Sequence, residues 1–325
     1  MTLTVCARDA EDWVEGCLDA LLAQSHRPIE IIAVNDGSRD RTSEAMHAWA
    51  GAHESDTVRI EIIDQPPLGL SAGRQAAVDR AKGEWVAITD IDCRPQAIWI
   101  EAMLEASIGM QGEDVMAVTG RTRFLVGKDL PSKVRSEQIE RKYGSRSRRA
   151  TLANGPCSMF LAEALVAIGG FDPTWYHAED MEVSLRLLSA GGTIVYAPTA
   201  VVEHLPEEGY RRFLRKRRRD ARAHLRIIHH FGWGGPRRAN APRLRHDFTS
   251  DALGAAFVAP LLGGACAVAS LVGPLWVASP LVPVLLLPRW RLNLCWSLAL
   301  WVGATEGCID WLLGRQGHGH GQRSG

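Results

Sequence analysis

Short apolar runs alternate with segments of helical periodicity through the first half of the chain. Residues 3–6, 29–34, 58–63 and 85–89 have the length and β-branched content of strands, while 13–23, 42–52, 71–81 and 98–110 repeat their apolar positions at helical spacing. This rhythm predicts βαβ units and a mostly parallel sheet flanked by helices. After Arg149 the sequence becomes rich in turns, at Asn154-Gly155-Pro156 and Gly169-Gly170-Phe171-Asp172. A helix over 178–190, closed by Gly191-Gly192, and a strand over 193–197 follow.

The pattern then changes scale. The 36 residues from Ala252 to Leu287 carry no charge, and as one straight helix they would span ~54 Å against a hydrocarbon core of ~30 Å. Gly273-Pro274, Pro280 and Pro283 predict a break into two membrane segments, the second short or re-entrant. A third apolar stretch, 292–313, carries Glu306 and Asp310 on one helical face, either to reach the headgroup region or to serve a function. A buried helical hairpin is the alternative for the uncharged run. Arg237, Arg238, Arg243 and Arg245 before the first segment, with Arg289 and Arg291 before the third, would place those points in the cytosol. The expectation is a multi-pass protein of the cell membrane with its catalytic part in the cytosol, an inference the strand-like opening Leu3-Thr4-Val5 shares.

Composition alters this picture in one respect. Lys plus Arg equals Asp plus Glu, 37 each, yet 13 basic residues and a single acid, Asp220, lie between Arg211 and Arg245. Within residues 211–226, Leu214, Ala221 and Leu225, continued by Ile228, mark an apolar face opposite nine basic residues. An amphipathic basic helix resting on anionic lipid is predicted, and its position before the apolar segments favours lipid over nucleic acid. Seven scattered cysteines without a CxxC pair argue against a zinc site or a disulfide framework. The predicted organisation is a catalytic domain over 1–210, a basic interfacial segment over 211–250, a membrane region over 251–313 and a polar tail over 314–325.

Candidate chemistry gathers where the strands end. Asp90-Ile91-Asp92 follows the run 85–89, and two carboxylates two residues apart beyond a strand can converge on one hard cation. Asn35-Asp36-Gly37-Ser38, Gly69-Leu70-Ser71-Ala72-Gly73-Arg74 and Glu179-Asp180 stand before and after it in order. No GxGxxG follows the first strand, which disfavours a dinucleotide oxidoreductase.

Taken together, these motifs resemble the family-2 glycosyltransferases of GT-A fold, over about residues 1 to 230. The resemblance implies a GT-A, Rossmann-like mixed sheet that takes a sugar from a nucleotide-sugar donor with Mg²⁺ or Mn²⁺. Carried over residue by residue, it implies Asp36 at the nucleotide base with Arg8 and Asp9 beside it. Arg74 and Asp90 would complete the nucleotide wall, Asp92 would ligate the metal, and Asp180 would be the catalytic base. Glu179 and Trp175 fall in the same substrate region. His204 resembles a further metal ligand of some relatives, with a satisfied structural histidine as the alternative. Helix N-terminal acidity is the corresponding alternative for Glu179-Asp180. Asn35 replaces a first aspartate common in the family. Lys216-Arg217-Arg218-Arg219-Asp220 stands where processive relatives carry QxxRW, so single-sugar transfer to a lipid-linked or glycan acceptor is expected. The competing classes are a catalytically silent membrane scaffold and a membrane nucleotidyltransferase.

Overall fold

The computed structural model describes residues 1–108, 112–175, 177–233, 250–273 and 277–315. β1 (Thr2–Ala7), α1 (Glu11–Leu22), β2 (Ile29–Asp36), α2 (Thr42–His53), β3 (Val58–Gln65), α3 (Leu70–Arg80) and β4 (Trp85–Asp90) form parallel strands joined by crossover helices, as the periodicity predicts. β5 (Cys93–Pro95), α4 (Trp99–Ile108), β6 (Val115–Phe124), α5 (Leu130–Gly144), β7 (Arg149–Ala150), β8 (Ser158–Leu161), α6 (Ala162–Ala167), α7 (Glu179–Ser189) and β9 (Thr193–His204) complete it. The strands form one sheet in the order β3-β2-β1-β4-β8-β6-β9-β5, with β7 on β9.

Burial explains why the inner strands are mostly apolar. In β2, Ile29, Ile31 and Ala33 pack with Leu3 and Val5 of β1 and Leu18 of α1, whereas Ile32 and Val34 turn to the other face and meet Ala77 of α3. A strand covered on both sides reads as a continuous hydrophobic run. β4 repeats the arrangement, with Ala87 in the first core and Val86 and Ile88 against Phe160 and Phe171.

The sheet becomes mixed where β8 inserts antiparallel between β4 and β6. β5 likewise runs antiparallel to β9, in a register that pairs Cys93 with His204. The last predicted strand, 193–197, is thereby extended to His204, and its C-terminal end faces the segment after β4.

α8 (Tyr210–Phe231), α9 (Ser250–Val272), α10 (Leu281–Leu286) and α11 (Pro288–Leu312) follow. The membrane expectation is supported in part. Among the described residues, one helix is long and apolar enough to cross a bilayer, over Gly254–Val272. α10 has six residues, a rise of ~9 Å, which is too short to cross. α11 carries Arg289, Arg291, Glu306 and Asp310 and packs along α8. Arg237, Arg238, Arg243 and Arg245, the Pro274 break and the tail beyond Arg315 lie outside the described residues.

Part of the apolar face of α8 is covered by α11. Ala221 and Leu225 lie against Gly303 and Gly307 of α11, and a Cβ at Gly303 would come within 2.0 Å of the Arg218 carbonyl oxygen. Two small residues four apart let the helix backbones approach closely. Glu306 accepts from Arg218 and Asp310 from Arg222, the latter at 2.5 Å. The acidic pair on α11 therefore meets an arginine pair of the same spacing on α8. Phe213 and Trp296 close the near end of this contact edge to face, at 5.5 Å.

Candidate active site

β1, β2 and β4 are parallel, so Ala7, Asp36 and Asp90 all end at one sheet edge, where open α/β sheets bind ligands. Asp36 is 4% exposed and holds the turn that starts α3, accepting from the Leu68 N–H at 2.8 Å, the Gly69 N–H at 2.9 Å and Gln65 Nε2 at 2.7 Å. Asn35 donates to Asp64, a half-exposed acid at the end of β3 whose carboxyl is held down at about 2 by hydrogen bonds from His47, Ser43 and Asn35. An acid thus stands beside Asn35 after all, supplied from the neighbouring strand. Asp9, in a left-handed conformation with φ 50°, accepts from the Arg39 N–H at 2.7 Å and faces the same turn. Arg8 is exposed beside it.

Arg74 occupies the centre. Its guanidinium, 2% exposed, donates through Nη1 to Glu179 Oε1 at 2.7 Å and through Nη2 to Asp90 Oδ1 at 2.9 Å. These two carboxylates keep the buried guanidinium firmly charged, against the cost of its burial. Burial pushes the Glu179 carboxyl up to about 7, Arg74 opposes that rise, and Asp180 and Asp90 add to it.

Asp180 lies in the first turn of α7 and accepts from the Gly155 N–H at 3.1 Å and the Met181 N–H at 2.8 Å. The turn Asn154-Gly155-Pro156, flagged in the sequence only as a turn, is therefore part of the site. A Cβ at Gly155 would lie 2.8 Å from Arg74 Nη2, so glycine is the residue that admits both the arginine and the aspartate. Ala178, immediately before α7, has φ 57°, a left-handed conformation uncommon outside glycine and of the kind stored at functional sites. Trp175 is 3% exposed; its carbonyl accepts from Ser71 Oγ and its ring lies beneath Arg226 at 3.9 Å.

The strand register accounts for the metal candidates. With Cys93 paired to His204, the preceding Asp92 comes beside the imidazole, and Asp92 Oδ1 lies 3.4 Å from His204 Nε2. His204 Nδ1 is 2.7 Å from the Leu205 carbonyl, which fixes the proton on Nδ1 and turns the Nε2 lone pair towards Asp92. Two acceptors facing each other call for a cation or a proton between them, so the oxygen and nitrogen donors fit a divalent metal. The Cys93 thiol also lies in this cluster, but burial and the neighbouring Asp90 and Asp92 raise its pKa well above the usual thiol range. Arg212 of α8 approaches Asp92 at 3.7 Å, a contact that the sequence hid within a long basic run.

A cavity of about 630 Å³ opens from Arg74, Asp90 and Asp180 past Tyr143 and along α8 to α11. The profile of Glycosyl transferase family 2 matches residues 2–167, and that of Glycosyl transferase family group 2 matches residues 111–306. The chain belongs to glycosyl transferase family 2. A pre-mycofactocin glycosyltransferase of Mycobacterium tuberculosis (strain ATCC 25618 / H37Rv) is 29% identical over 192 residues, 56% of this chain and 39% of that protein. The glycosyltransferase AglE of Haloferax volcanii is 22% identical over 66% of this chain and 69% of its own length. The chain spans between 16% and 39% of the length of the first curated relatives it matches. In three dimensions it is similar to the mannosyltransferase PcManGT from Pyrobaculum calidifontis, solved in complex with GDP-Man and Mn²⁺, with a TM-score of 0.68 at 22% identity over 95% of this chain and 87% of that one. That likeness shows a GT-A α/β fold of mixed, mostly parallel sheet with flanking helices.

Proposed function

We propose that this family-2 enzyme transfers a single sugar, with inversion, from a nucleotide diphosphate donor to a lipid-linked or glycan acceptor at the cytosolic face of a membrane. The observation that carries the reading is the Arg74 fork, which joins the acid pair after β4 to the Glu179-Asp180 helix. Donor wall and candidate base are thereby one rigid unit. The donor's base would lie along Arg8, Asp9 and the Asp36 turn, with Arg74, Asp90 and Trp175 shaping the sugar end.

Asp92 and His204 would hold a divalent cation, which when bound offsets the charge that grows on the departing diphosphate. Asp180 would take the proton of the acceptor hydroxyl as it attacks, and Gly155 aims its carboxylate. Glu179, whose carboxyl burial raises to about 7, is engaged by Arg74, so Asp180 is the acid of the pair assigned the role of base. Arg212, beside Asp92, adds positive charge where the diphosphate would leave.

Membrane attachment is part of the same proposal. α9 exposes Phe257, Leu261, Val268 and Leu271 to between 59% and 86%, and only 6% of its apolar window is covered. The core helix of a soluble protein would be covered, so lipid is the natural surrounding for this surface. Donor binding tests the reading. Purified protein is titrated with a panel of sugar nucleotides with and without Mg²⁺ or Mn²⁺, alongside Asp92→Ala. Metal-dependent binding of at least one donor, lost in Asp92→Ala, is expected; metal-independent binding, or none, would contradict it.

A further inference from the structure

The cavity at Asp180 does not end with room for a sugar. It continues between α5 and α8, where it is lined by Arg135, Lys216 and Arg217, and reaches Trp296, Leu300 and Ala304 of α11. Those three α11 residues stand at i, i+4 and i+8, a single helical track ~12 Å long. One cavity therefore presents a carboxylate, a cationic section and an apolar section on its lining elements.

The cationic section is unusual in how its charges are balanced. Glu207, 1% exposed, lies 3.5 Å from Lys216 Nζ and 3.8 Å from Arg135 Nε. Neither of its carboxylate oxygens has a hydrogen-bond partner, and Nε of both Arg135 and Arg217 is buried without one among the described residues. Arg217 is 5% exposed, stacks on Phe213 at 5.2 Å and reaches Asp220 at 3.2 Å only through Nη2. Burial and the neighbouring Arg217 push the Arg135 guanidinium down to about 10. Glu207 does not line the cavity, whereas Arg135, Lys216 and Arg217 do, so it balances from behind the charge of cations that form the cavity wall. Buried, incompletely bonded cations are costly unless an anion completes them.

We infer that Arg135, Lys216 and Arg217 form a binding site for the phosphate of an acceptor lipid whose chain lies along Trp296, Leu300 and Ala304. Arginine's planar fork and lysine's compact ammonium both suit phosphate oxygens. This site adjoins the donor site, since Lys216 also feels the charge of Asp92. Arg212, one turn earlier on α8, approaches Asp92 itself, whereas Lys216 pairs with Glu207 and, with Arg217, lines the wall that continues to α11. An apolar chain is the occupant that matches the α11 end, since α11 is packed against α9, whose apolar surface is left almost wholly uncovered. The lipid's role as sugar acceptor rests on the proposed function; its binding does not.

The test uses the full chain in a neutral detergent and three probes: a single-chain isoprenyl monophosphate, the alcohol of the same chain, and inorganic phosphate. Binding is read from quenching of tryptophan fluorescence, to which Trp296 contributes, and checked by calorimetry. The monophosphate should bind at least tenfold more tightly than either the alcohol or inorganic phosphate. Lys216→Gln and Arg217→Gln should each remove most of that advantage while leaving affinity for the alcohol within twofold. Arg135→Lys, which keeps the charge, should retain it in part. Equal binding of monophosphate and alcohol by the wild type would overturn the site, and that comparison does not depend on any variant folding. Inorganic phosphate competing as well as the lipid would show an anion site without a lipid track. Loss of nucleotide binding in Lys216→Gln together with unchanged lipid binding would assign these cations to the donor instead. Lipid binding without any donor binding would spare this site and overturn the proposed function.

Discussion

Arg74 Nη1 donates to Glu179 Oε1 at 2.7 Å across 105 positions of sequence, and this contact decides how the two halves of the site are held together. The same guanidinium reaches Asp90, so one buried cation sets the distance between the acid pair after β4 and the first turn of α7. Removing it leaves two carboxylates facing each other with no counter-charge.

Arg74→Met should therefore destabilise the protein by about 3–5 kcal/mol, the usual cost of stripping one partner from a buried ion pair. Arg74→Lys should recover part of that, because one ammonium cannot fork to both acids. Thermal or urea unfolding in detergent, followed by circular dichroism, measures both; a loss below about 1 kcal/mol in Arg74→Met would be at odds with the buried clamp.

Glu179 gives stability a pH dependence with a defined sign. Its carboxyl is raised from 4.5 to about 7, so between those values the folded chain keeps a proton that the unfolded chain has released. Linkage then makes this group's contribution fall as pH rises through that window. The slope of melting temperature against pH between 5 and 7 should flatten in Glu179→Gln, compared with the wild type.

The α8–α11 contact predicts a steric effect. A side chain at Gly303 has no room against the Arg218 carbonyl, so Gly303→Leu should force the helices apart and cost about 1–3 kcal/mol. Gly254→Leu on α9, where nothing lies within 4 Å, should be close to neutral in the same unfolding assay.

The acid and base pairs across that contact can be separated from simple loss of charge. Asp310→Arg alone should repel Arg222, while the exchange Arg222→Asp with Asp310→Arg restores an opposite pair. A coupling energy of about 0.5–3 kcal/mol, from unfolding of the two single variants and the double one, is the expected size for contacting charges. Additive effects would mean the pair has no mutual role.

The sequence was most legible where a single strand or helix carries its own periodicity. β1 through β4 and α1 through α3 agree with the expected spans to within two residues at each end, since strands buried on both faces and helices with one apolar stripe advertise themselves. The antiparallel insertion of β8 was not legible, because its four residues, Ser158–Leu161, have no periodicity long enough to count. Asp92 was named as a metal candidate from its spacing with Asp90 and from the resemblance, and His204 from the resemblance alone, but only the β5–β9 register explains why residues so far apart meet. Gly155 and Arg212 escaped notice for different reasons: one looked like an ordinary turn, the other like one charge among nine. Glu306 and Asp310, expected at a headgroup or in a functional role, instead pair with Arg218 and Arg222, partners that no local pattern could reveal.

The role of Asp180 as base is the centre of the functional account, and single-turnover transfer with preloaded donor tests it most directly. Asp180→Asn keeps the size of the side chain and its acceptor oxygen for Gly155, so donor affinity should stay within about twofold while the transfer rate falls by about 10²–10⁴. A transfer rate equal to the wild type's with the donor fully bound would contradict the assignment.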